Sequence, residues 1–140
     1  MARITIRPEH DDHYHVGIRH HGLVVDQPAG DAADLGPTPT ELFVAGLAAC
    51  VAFYAGRYFR RHQIDAGVWR VDCDFEMSED RPARVTGIAI DISLPAAFPD
   101  KRREPLQRVV EACTVHNTLM NPPAVRIMLH PVAVAGGSAA

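Results

Sequence analysis

From Leu42 to Gly56 every residue is apolar or glycine. No other stretch constrains the fold as much. A capping box opens it. Thr38 is placed to serve as N-cap, Pro39 occupies the first helical position, and Glu41 falls three residues after the cap. The Thr38 hydroxyl can accept from the Glu41 N–H while the Glu41 carboxylate reaches back to the Thr38 N–H. Gly36-Pro37 is a turn signal that stops the helix extending backward. The apolar run falls short of the roughly 20 residues of a membrane span, so no membrane association is expected. Gly46 and Gly56 each cost about 1 kcal/mol in a helix relative to alanine, which suggests close backbone packing. The expectation is a central core helix, enclosed on nearly all sides and running to about His62. Arg57, Arg60 and Arg61 mark its exit, where cations suit the negative end of the helix dipole.

A chain of 140 residues predicts a single domain, 1–140. The net charge of −3 gives no basic footprint, which argues against nucleic acid as a partner. The polar segment after the first strand candidate is not a secretory leader. Three widely spaced cysteines do not make a disulfide framework. A cytoplasmic location is expected, where a cysteine is either reactive or simply buried.

Ahead of the helix, Arg3–Arg7, Tyr14–Ile18 and Gly22–Val25 read as short strands, and Asp26–Gly36 as a loop. After it, Val68–Met77 alternates cleanly. Trp69, Val71, Cys73, Phe75 and Met77 face one way, and Arg70, Asp72, Asp74 and Glu76 the other. Arg84–Leu94 is its partner, with a bulge expected at Gly87 where the apolar parity changes. A second helix is expected from Asp100 or Arg102 to Thr114, with Leu106, Val109, Val110 and Cys113 on its buried stripe. Asn117–Pro123 reads as a turn, Ala124–His130 as a last strand, and Gly136–Ala140 as a frayed tail. The order β-β-β-α-β-β-α-β defines an α+β domain with antiparallel sheet and one buried helix.

On pattern alone, Cys50 and Cys113 are either two inert buried thiols or a redox pair. In the second case a thiolate attacks a peroxide oxygen and the resulting sulfenic acid condenses with the other thiol. An ordinary thiol is only a few per cent ionised at neutral pH, so a neighbouring cation would be needed. Cys73, in mid-strand, reads as a core thiol. His116 can either bond to the site or cap a helix end. The histidines at 10, 13, 15, 20 and 21 lack a ligand motif beside them, so no metal and no cofactor is expected.

The stretch Gly36 to Cys50, Gly-Pro-Thr-Pro-Thr-Glu-Leu-Phe-Val-Ala-Gly-Leu-Ala-Ala-Cys, is followed some 60 residues later by Glu-Ala-Cys-Thr-Val-His-Asn-Thr-Leu. Together they resemble the OsmC/Ohr family of thiol-dependent hydroperoxide reductases, over about Leu23 to Leu129. The resemblance implies an intertwined homodimer with its active sites at the subunit interface. It implies that Cys50 is the peroxidatic cysteine and Cys113 the resolving one, that organic hydroperoxides are the substrates, and that an external dithiol is the reductant. Family members carry a Glu at the position of Thr40 and an Arg from the N-terminal strands or loop, paired beside the thiol. Here the Glu stands one residue later, at Glu41, and Arg19 is the positional candidate for the cation, with Arg81 and Arg84 behind it. The alternative is a non-catalytic ligand-binding or stress-associated dimer of the same fold.

Overall fold

The computed structural model describes residues 2–27 and 29–133. Three strands, β1 (Ile4–His10), β2 (His13–Ile18) and β3 (His21–Val25), lead into helix α1 (Pro39–Arg61). Strands β4 (Arg70–Met77) and β5 (Val85–Ser93) follow. A 3-10 turn at Asp100–Arg102 runs into α2 (Arg103–Glu111), and α3 (Thr114–Met120) comes last. Both sheets are antiparallel: β1-β2-β3 forms one and the β4-β5 hairpin the other. The proposed tail, Gly136–Ala140, lies outside the described residues.

Helix α1 begins as its sequence predicts. The Glu41 N–H donates to Thr38 Oγ1 at 3.2 Å, and the Thr38 N–H donates to Glu41 Oε2 at 2.8 Å. One face carries Leu47, Val51, Ala55, Tyr58 and Phe59 into a core shared with Phe98, Leu106, Val110 and Cys113. Phe59 anchors it, edge-on to Trp69 and Phe98 at centroid distances of 5.1 and 5.7 Å. These lie in the favourable range for aromatic pairs. The β4-β5 sheet covers the core from one side through Trp69, Ile88, Ile90 and Ile92. Its register slips by one residue between Glu76–Gly87 and Met77–Val85, leaving Thr86 unpaired at the expected bulge.

The helix has the expected bounds but is less enclosed than expected. It has 23 residues and, among those described, is long and apolar enough to cross a membrane. Its far face is bare within one chain: Ala45, Gly46 and Ala49 are exposed, and Phe53 is 58% exposed. The two helical glycines also differ. A Cβ on Gly56 would touch Trp69, whereas one on Gly46 would meet nothing. Within one chain the expected enclosure is met only on the face toward Trp69 and the core.

Two other elements depart from expectation. The second helix does not run to Thr114. It stops at Glu111, Cys113 adopts an extended backbone (φ −63°, ψ 150°), and α3 starts anew through residues read as a turn. Ala124–His130 forms no strand, since it has no ladder partner among the described residues. Its apolar residues Val125, Ile127 and Leu129 are all exposed.

The loop before α1 is held by a residue that the sequence does not single out. Asp26, 1% exposed, accepts from the N–H groups of Gln27 (2.6 Å) and Leu35 (2.9 Å) and lies 3.1 Å from His13 Nε2. The Leu35 N–H is the main cause of a carboxyl pKa held below its ordinary value; His13 adds to it. Where the loop returns past β3, only glycine fits, because a Cβ on Gly36 would lie 2.2 Å from the Val24 carbonyl oxygen.

Candidate active site

Two elements bring Cys50 and Cys113 together. Cys50 sits three turns into α1, half-buried against the core, and Cys113 packs in that core with 0% exposure. Both are free thiols. Burial is the main reason the Cys113 thiol is pushed above its ordinary pKa; the Cys50 thiol, as hydrogen-bond partner and like charge, pushes the same way. The His116 N–H pulls the other way and is outweighed. Cys113 is therefore a neutral thiol at physiological pH.

The break between α2 and α3 positions Cys113. Its Sγ accepts the His116 N–H at 3.4 Å, so the cysteine is the N-cap of α3. The His116 ring donates through Nδ1 to the Glu111 carbonyl at the end of α2. The two roles open to His116 are thus both filled: its backbone meets the site sulfur and its ring closes a helix end. A third link was not foreseen. Tyr54, one turn beyond Cys50, meets Thr114, the neighbour of Cys113, with Oη and Oγ1 3.0 Å apart. The i+4 spacing from Cys50 and the adjacency to Cys113 were visible in the sequence, but nothing there showed that the two residues meet.

A groove of about 470 Å³ opens on the same core, lined by sequence neighbours of the two cysteines such as Val51 and His116 but by neither thiol. Leu47, Val51, Ile88, Ile90 and Val110 form its apolar side, and Arg103, Gln107 and Glu111 are among the polar residues that also line it. The other two site candidates are not drawn in. Glu41 is committed to its capping box, nine residues before Cys50 and so about 13 Å away along the axis. Arg19, at φ 57° in the β2–β3 turn, lines a groove with Arg3, Arg7 and His15 on the N-terminal sheet. No residue of that sheet belongs to the core that holds the thiols. Arg84 pairs with Asp80 at 2.6 Å, and Arg81 is exposed in the β4–β5 connection. Cys73 faces inward from β4, its thiol pushed up by burial and then by Asp74. Among the described residues no cluster of three or more potential metal ligands occurs.

The sequence model of the family described as OsmC-like protein matches residues 30–128. The chain belongs to the OsmC-like family. No curated protein matches it. Among solved structures it is similar to an OsmC-like protein from Mycoplasma pneumoniae, with TM-score 0.75 and 18% identity over 87% of this chain and 89% of that one. It is also similar to the organic hydroperoxide resistance protein OhrB of Bacillus subtilis (TM-score 0.63, 18% identity, 87% and 92% covered). A third is an organic hydroperoxide resistance protein OsmC from Legionella pneumophila (TM-score 0.64, 17% identity, 85% and 88% covered). At these identities the likeness shows the fold.

Proposed function

We propose that this protein is a thiol-dependent peroxidase that reduces organic hydroperoxides to alcohols. The observation that carries the reading is the pairing of a half-buried Cys50 with a fully buried Cys113. The Cys50 thiolate attacks the terminal peroxide oxygen, the O–O bond breaks, and the alkoxide leaves as ROH after taking a proton. Cys50 is then a sulfenic acid. The Cys113 sulfur attacks it, water leaves, and a Cys50–Cys113 disulfide forms. An external dithiol reduces that disulfide by exchange and is itself oxidised. The apolar wall of the adjacent groove suits an organic hydroperoxide over hydrogen peroxide. A buried resolving thiol is also protected from over-oxidation until Cys50 reacts. The hydroperoxide-resistance names of two similar structures agree with this chemistry.

The working form in this reading is an intertwined homodimer in the cytoplasm. Three apolar surfaces lack cover within one chain: the far face of α1, the Ile4 and Ile6 side of the N-terminal sheet, and the extended residues 124–132. A second copy supplies that cover, and light scattering at micromolar concentration should give twice the chain mass. The second reading is a non-catalytic dimer that binds a small apolar ligand. It draws on the absence of Arg19 and Glu41 from the thiol pair. Counting free thiols before and after cumene hydroperoxide separates the two. The peroxidase loses two thiols per chain, and the binding protein loses none.

A further inference from the structure

The N-terminal sheet has two unlike faces. On one, Ile4, Ile6, Val16 and Ile18 pair across β1 and β2. On the other, Arg7 lies opposite His15 and Thr5 opposite Gly17, with Arg3 just ahead of β1 and Arg19 in the β2–β3 turn at the end of that face. Together these residues line a groove of about 280 Å³. No carboxylate lines it, and among the described residues none of the three guanidiniums has an ion-pair partner. Like charges gathered on one sheet face without counter-charges repel and destabilise it. That arrangement stands out in a chain with 14 Lys and Arg against 17 Asp and Glu. Its floor is also bare. Gly17 has no side chain, and a Cβ there would meet only the Thr5 carbonyl and His15 at 3.8 and 4.0 Å.

We propose that the groove over Gly17 is a binding site for a small phosphate-bearing ligand, gripped by Arg3, Arg7 and Arg19. Guanidinium forks match phosphate oxygens in pairs, and three of them around one concavity offer more donors than a single monoanion can use. The groove is smaller than the usual 300–1,000 Å³ or so of drug-sized ligand sites, which favours a compact diphosphate over a large ligand. The net negative charge of the chain argues against nucleic acid. The site is on the opposite face of the sheet from the apolar side chains and does not share the thiol core, so it is independent of the peroxidase reading.

The test is calorimetric titration of the full-length protein with inorganic pyrophosphate, with sodium chloride and a single-stranded oligonucleotide as controls. One saturable site per chain is expected. Arg3→Gln with Arg7→Gln should weaken it about tenfold for each guanidinium removed, with peroxide-dependent thiol loss unchanged. Gly17→Val keeps every charge but fills the floor, and should weaken binding as well. Circular dichroism checks that each variant is folded; if the valine disrupts β2, the double arginine variant decides alone. The proposal is overturned by absence of saturable pyrophosphate binding, by tighter binding of the oligonucleotide, by binding that survives the arginine pair, or by binding that survives folded Gly17→Val.

Discussion

The helical core and the N-terminal sheet are both well-formed secondary structure, yet they end in opposite states. Around α1, four other elements close over Leu47, Ala55 and Phe59, and both site thiols lie within that closure. In the β1-β2-β3 sheet the strands pair apart from one irregularity between Pro8 and His10, and Val16 and Val25 are buried, but the β1 part of the apolar face stays open, with Ile4 and Ile6 each more than half exposed. Backbone pairing is satisfied strand by strand, whereas apolar burial needs a second layer. The difference teaches that this chain closes one core around α1 and leaves a second apolar set open within the chain. The bare stripe of α1 and residues 124–132 belong to the same unfinished set.

Paired substitutions break that comparison most sharply. Phe59→Ala should cost about 3–5 kcal/mol, the usual loss for a large aromatic in a closed core, and the loss should be the same at every protein concentration. Phe53→Ala should cost about 1.5–3 kcal/mol per chain, and its lowering of the melting temperature should be largest at low protein concentration, as expected for linkage to association. Denaturant melts at two concentrations measure both. A concentration-independent loss at Phe53 would mean that its face is covered from within the chain.

A smaller effect is expected at the start of α1. Glu41→Ala removes half of the capping box and should cost about 1 kcal/mol, with thiol consumption by peroxide intact. Unchanged stability together with lost peroxide reactivity would instead make Glu41 a site residue. The smallest effect is on the pH dependence. Cys113 and Cys73 both ionise above the ordinary value of 9.0 in the folded chain. The unfolded thiols ionise first as pH rises, so this contribution to stability is full below about pH 9 and is lost above it. Melting temperatures from neutral to alkaline pH should fall, and less steeply in a Cys73→Ala, Cys113→Ala double variant. An equal slope in that variant would remove the thiols as the cause.

Local signals were legible wherever the physics is local. The Thr38–Glu41 box, the Cys73-bearing strand, the bulge beside Gly87 and the end of α1 at Arg61 all depend on spacing within a few residues. That Cys50 and Cys113 belong together was implied only by the family resemblance of their two motifs, since neither residue alone distinguishes a reactive thiol from a core one. What the sequence hid depends on distant partners. Asp26 looks like any loop carboxylate until Leu35 returns to it. The Tyr54–Thr114 link joins residues 60 apart. The apolar stripe of α2 passes through Cys113, so periodicity continues the helix across it, although the sulfur in fact caps a new one. The alternation of 124–130 suggests a strand, but alternation alone supplies no ladder partner, and among the described residues this segment pairs with none.

The pairing of the two thiols is the central claim, and intact-protein mass after one equivalent of organic hydroperoxide tests it most directly. Wild type should lose two hydrogens, which a dithiol restores. Cys50→Ser should not react. Cys113→Ser should gain one oxygen as a sulfenic acid at Cys50 that dimedone traps. The account is contradicted if wild type keeps its full mass and thiols, or if the dimedone adduct maps to Cys113.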